Sequence, residues 1–109
     1  MTGDDSPPAR AYREYYLAIL KGDVEQMGKY LAAANIRQFE SMDGREREMV
    51  LELFKMRPKE VKINKPVVSG DQASFTVEDR EISGEKSTGA VKMVLEEGAW
   101  KVLEDKWTM

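Results

Sequence analysis

The chain has 109 residues, with 17 Lys plus Arg against 20 Asp plus Glu, a net charge of −3, and neither cysteine nor histidine. That length holds one hydrophobic core and not two. The absent residues exclude disulfides, thiolate nucleophiles, thiolate metal sites and every mechanism that needs an imidazole, so any catalysis would have to run on Asp, Glu, Tyr, Lys or Arg.

Both charge signs are mixed through both halves of the chain, which leaves no basic surface for a nucleic acid partner. No apolar run approaches the ~20 residues of a membrane span. No D-x-D-x-D-G loop or other ligand spacing implies a metal, and nothing implies a cofactor. The opening T-G-D-D-S-P-P reads as a disordered lead-in over residues 1–7, ahead of a single domain over 8–109. Such a lead-in also suits a precursor that carried an export or anchoring segment, although no signal-peptide core is visible.

Ser6 followed by Pro7 predicts a helix start, with the Ser6 hydroxyl as cap. Ala9, Tyr12, Tyr16, Ile19 and Leu20 then recur at helical spacing, and Gly22 stops a helix over about 7–20. Asp23 with Gln26 three residues on forms a capping-box pattern. It opens a second helix over about 24–33, with Val24, Met27, Tyr30 and Leu31 on one face and a path that Ile36 and Phe39 extend to about 41. Asp43-Gly44 opens a third helix whose solvated start is Arg45-Glu46-Arg47-Glu48. Met49, Val50, Leu53 and Phe54 form its expected buried stripe, and Pro58 ends it.

Beyond Pro58 the period changes from helical to alternating. Val61 and Ile63 begin a strand that Pro66 interrupts, so this strand lies at an edge or carries a bulge. Ser69-Gly70-Asp71 predicts a hairpin turn, followed by Ala73, Phe75 and Val77 on one face. Ser83-Gly84-Glu85-Lys86 predicts the next turn, followed by Val91, Met93 and Leu95. Glu97-Gly98 predicts a tight turn, after which Trp100 and Val102 alternate with Lys101 and Trp107 follows. The sum is α+β: three N-terminal helices packed on a curved, four-stranded antiparallel sheet.

The segments K-G-D-V-E-Q-M, K-P-V-V-S-G-D-Q-A-S-F-T-V, T-G-A-V-K-M-V and E-E-G-A-W-K-V-L-E-D-K-W, in that order after the first helix, resemble the nuclear-transport-factor-like (cystatin-like α+β) superfamily. Within it the chain looks similar to small bacterial lumazine-binding-like domains. The resemblance implies a conical fold that often encloses a pocket between sheet and helices, in proteins that are isomerases or dehydratases, bind small molecules or only associate. No motif transfers a catalytic role to a residue of this chain.

Three functional readings follow from the residues. The first is a non-catalytic binding or association module, with a homodimer formed through the sheet. The second is a pocket for a small apolar or planar ligand, with Tyr12, Tyr16, Tyr30, Phe75 and Trp100 as the candidate lining, and with Trp100 and Trp107 able to stack a ring. Each of these residues also sits where a core needs apolar bulk. The third is a lyase or isomerase. Alternation from Phe75 and Val77 turns Asp79 inward, where an apolar interior would make it a base; the ordinary alternative for Glu78-Asp79-Arg80-Glu81 is a solvated strand end. The seven methionines, Met49, Met56 and Met93 among them, suit an adaptable apolar surface, with core filling as the ordinary alternative.

Overall fold

The computed structural model describes residues 2–80 and 87–108. The turn expected at Ser83-Gly84-Glu85-Lys86 therefore lies outside the described residues, as does Glu81.

Helix α1 runs Pro7–Lys21. Its capping differs from expectation: the Ser6 hydroxyl is buried and finds no hydrogen-bond partner among the described residues, while the Asp4 carboxylate accepts from the Ser6 amide at 2.9 Å. A carboxylate two residues earlier thus holds the helix entry. At the other end Gly22, at φ 71°, closes α1 with its N–H on Ile19 O, and the Asp23 N–H reaches back to Ala18 O. Only glycine enters this left-handed region without strain, so Gly22 allows the abrupt turn into the next helix.

The expected single helix over 24–33 and beyond is two helices, α2 Val24–Gly28 and α3 Ala33–Ser41. The Asp23 carboxylate caps α2 on the Gln26 amide at 3.0 Å, as its spacing predicts. The helix breaks because the backbone after Gly28 finds better partners on the last strand, β6 (Ala99–Thr108). Val102 donates to Tyr30 O at 2.6 Å and Ala32 donates to Val102 O at 2.9 Å, so Leu31 bridges to Val102 as a strand would. Helix α4, Gly44–Lys55, starts where Asp43 accepts from the Glu46 amide at 2.8 Å. Its expected stripe is only half correct. Val50 and Phe54 are half-buried against the body, but Met49 is 61% and Leu53 65% exposed, because α4 rests chiefly on α1 along one narrow edge.

The sheet takes the order β1-β2-β4-β5-β6, with β1 Thr2–Gly3, β2 Val61–Ile63, β3 Val67–Ser69, β4 Gln72–Asp79 and β5 Thr88–Glu96. Strands β2 and β3 are two halves of one edge strand on β4. Ile63 pairs with Val77 and Val67 with Ser74, which places three edge residues opposite two and makes a bulge at Asn64–Pro66. Proline has no N–H for the ladder, and Asn64 takes over by bonding Thr76 through both its amide groups. The four-stranded expectation thus holds for the antiparallel part. The lead-in differs from its expected disorder: β1 adds a short parallel strand on β2, because the β2 edge still offers unpaired backbone groups.

The inner face of the sheet and the inner face of α1 make the core. Ala73, Phe75 and Val77 of β4, Val91 and Met93 of β5, and Val102 of β6 pack against Tyr12, Tyr15, Tyr16 and Ile19. No helix among the described residues is long and apolar enough to cross a membrane.

Candidate functional site

Strand β6 does not keep one parity along its length. Met93 pairs with Val102 but Lys92 pairs with Glu104, so Leu103 is an extra residue in β6. The bulge reverses which residues face inward. Before it Val102 points into the core; after it Asp105 and Trp107 do, in place of Glu104 and Lys106. The inner face is then built in cross-strand rows: Phe75, Val91 and Asp105 in one, Val77, Gly89 and Trp107 in the next, and Asp79 with Ser87 beyond.

Asp105 is the centre of a buried polar cluster. Its side chain is 5% exposed and that of Arg57, just past α4, is 15% exposed, with Nη1 donating to Oδ2 at 2.5 Å. The Tyr12 hydroxyl donates to Oδ1 at 3.1 Å. The indole N–H of Trp107 lies beside Asp105 and Tyr12, yet is buried with no hydrogen-bond partner among the described residues. Arg57 also covers the Phe54 ring, 4.7 Å from its centroid. Burial raises the Asp105 carboxyl above the ordinary 3.8, against the opposing charge and hydrogen bond of Arg57. Burial, then the Asp105 charge, raises the Tyr12 and Tyr15 hydroxyls well above 10.0 and keeps both protonated.

This cluster forms one end of a half-open cavity of about 240 Å³ between α3, α4 and β6. Apolar wall comes from Met27, Leu31, Phe39, Met42, Val50, Phe54 and Val102, and polar groups come from Asn35 and Gln38 and from Tyr15, Arg57 and Asp105, which lie together at one side. Asn35 fixes the mouth by donating from Nδ2 to Val102 O and Leu103 O, at 3.0 and 2.8 Å, which ties α3 to the bulge.

The residues expected to line a pocket sit elsewhere. Tyr12 and Phe75 meet edge to face at 5.4 Å in the solid core, and Tyr12 touches the site only through Asp105. Tyr16 is fully buried and donates to Pro58 O at 2.5 Å. Tyr30 and Trp100 pack half-buried on the core margin. None of these five is among the residues lining the cavity. The Trp107 ring lies on Gly89 and against Tyr16, at 6.0 Å, so its face is occupied. Asp79 is turned inward and buried, as alternation predicts, but it stands two rows from Asp105, with Ser87 Oγ at 3.5 Å, and is not part of this cavity. The polar residues that do line the cavity are Tyr15, Asn35, Gln38, Arg57 and Asp105.

No family model matches the chain, and no curated protein matches it. Solved structures do. A candidate NTF2-like transpeptidase from Campylobacter jejuni superposes with a TM-score of 0.59 at 15% identity, over 91% of this chain and 99% of the other. An NTF2-like protein of unknown function from Shewanella baltica gives 0.62 at 15%, over 94% and 90%. A candidate dehydratase of the NTF2-like family from Streptomyces avermitilis gives 0.58 at 13%, over 93% and 91%. The chain thus has the nuclear-transport-factor-like fold, a framework that hosts unrelated activities.

Proposed function

We propose that on this nuclear-transport-factor-like fold the chain is a small-molecule-binding module whose ligand has an apolar body and a carboxylate head. The observation that carries the reading is the donor surplus at one end of the apolar cavity. Both Asp105 oxygens already accept hydrogen bonds, whereas the Arg57 guanidinium donates one bond, to Asp105, among the described residues. Tyr15 adds a protonated hydroxyl beside it. An anionic oxygen head satisfies those donors. A volume of about 240 Å³ equals roughly eight waters at ~30 Å³ each, which suits a compact ligand such as one aromatic ring or a short alkyl chain.

Binding rather than proton abstraction is favoured because Arg57 neutralises the carboxylate that would serve as base. Association through the outer sheet face has less support. That face presents Ser74, Thr76, Lys92, Glu104 and Lys106, and its apolar Val67 and Leu103 border one half-open hollow lined also by Ser74, Lys92 and Glu104.

Titration of tryptophan fluorescence with benzoate and hexanoate, against benzyl alcohol and hexanol, tests the reading. Wild type is expected to bind each acid at least tenfold tighter than its alcohol. The double variant Arg57→Met/Asp105→Leu, which removes the charge pair together, is expected to lose that preference. A wild type that treats acid and alcohol alike overturns it.

A further inference from the structure

The cavity beside Arg57 and Asp105 is not isolated. A second cavity of about 270 Å³ lies on the other side of a wall made by Met27, Leu31 and Phe39, which line both spaces. Val24, Gly28 and Ile36 line the second and not the first, as do the charged Glu25, Glu40 and Arg47, and most of the surface it exposes is apolar. Of the three wall residues, Met27 is 3% exposed and fixed in the core, whereas Phe39 is half-buried near the end of α3.

The backbone at Phe39 is held firmly. Arg47 Nε donates to Phe39 O at 3.2 Å and Arg47 Nη2 to Glu40 O at 2.8 Å. The ring has a weaker restraint, the Arg47 guanidinium 5.4 Å from its centroid. Two apolar spaces therefore share a partition whose most adjustable member is one aromatic side chain on a pinned backbone.

From this arrangement we infer that Phe39 sets the length of ligand the protein accepts: with its ring in place the body of the ligand ends at the wall, and without it the body continues into the second cavity. This rests on the carboxylate-binding reading above. The occupant of the joined space is a linear or extended monocarboxylate, its head on Arg57 and Tyr15 and its distal carbons against Val24 and Ile36.

The test is a calorimetric titration with butanoate, hexanoate, octanoate and decanoate at one pH. Each buried methylene is worth about fourfold in affinity. Wild type is expected to gain affinity up to hexanoate and then less than twofold from hexanoate to decanoate. Phe39→Ala is expected to keep gaining, by tenfold or more over the same interval, with Phe39→Leu between them. Adding Ile36→Trp to Phe39→Ala blocks only the second cavity, so it is expected to abolish the gain for decanoate and leave hexanoate unchanged; loss of structure alone would weaken both. Thermal melts confirm folding of each variant, and Phe39→Leu carries the test if Phe39→Ala does not fold. Hexanoate binding with the same plateau in wild type and in the Phe39 variants overturns the length gate while leaving the site reading intact. Absence of binding by every acid overturns the site reading and the gate with it.

Discussion

The Arg57 guanidinium reaches 2.5 Å to the Asp105 carboxylate across 48 residues of sequence, and so fastens the end of α4 to the last strand. Helices α3 and α4 contain no fully buried side chain, so polar ties of this kind matter more to their docking than to that of α1. Breaking a buried pair from one side leaves a charge without a partner and costs about 3–5 kcal/mol, whereas replacing both members by apolar groups is often neutral. Arg57→Met alone is expected to lower the unfolding free energy by about that amount, and Arg57→Met/Asp105→Leu to recover most of it. Urea unfolding measures both; equal losses would show that the charge pair is not the source.

Gly89 faces Trp107 in the β5–β6 ladder. A Cβ there would stand 2.8 Å from Val77 Cγ2 and 2.9 Å from the indole. Both neighbours are packed, so Gly89→Ala is expected to cost about 1–3 kcal/mol through overpacking and to shift the tryptophan emission. A change within ~0.5 kcal/mol and an unaltered spectrum would mean that the indole has room to move.

Deleting Leu103 removes the bulge. The strand beyond it keeps its pairing, because Glu104 then follows Val102 and still faces Lys92, so Asp105 and Trp107 stay inward and the loss is the bond from Asn35 to Leu103 O. The deletion is expected to keep cooperative unfolding and a native near-ultraviolet circular dichroism spectrum, at a cost of about 1 kcal/mol for the lost hydrogen bond. A deletion variant that loses cooperative unfolding would show that the bend the bulge gives β6, and not only its register, is needed for the fold.

Acidity provides a separate check. Asp105 has a raised carboxyl, so its folded form holds a proton more tightly than its unfolded form. The stability it contributes is fully present below the unfolded value of 3.8 and is lost as pH rises through the higher folded value. Asp4 and Asp5 are lowered by their hydrogen bonds and act in the opposite direction, with stability present above 3.8 and lost as pH falls through their lowered values. Comparing wild type with Asp105→Asn between pH 4 and pH 7 isolates the first effect: wild type is expected to lose stability relative to the variant as pH rises. The opposite slope would mean that Arg57, not burial, governs the group.

Features set by neighbours along the chain were legible in the sequence. Gly22 and Asp23 mark a helix stop and restart, and Gly70 with Asp71, and Glu97 with Gly98, make two-residue hairpin turns whose first residues have positive φ. Alternation correctly turned Asp79 inward. Features set by distant partners were not legible. The break between α2 and α3 depends on Val102, some seventy residues away, and Arg57 carries no local mark of its bond to Asp105. One signal for the site was present: apolar bulk in the last strand shifts from even positions at Trp100 and Val102 to an odd one at Trp107. That change of parity betrays a bulge, and with it the inward turn of Asp105. Tyr12, Tyr16 and Phe75 drew attention as aromatic residues, but aromatic side chains at core spacing mainly fill volume.

The most direct check of the carboxylate-binding site is an amide-resolved NMR titration of the wild-type protein with benzoate. The expected shifts concentrate at Tyr15, Asn35, Phe39, Arg57 and Leu103 and saturate, and the Arg57 side-chain resonance moves with them. Saturating shifts centred on the outer sheet face around Val67 and Gln72, with the Arg57 resonance unmoved, would contradict the account.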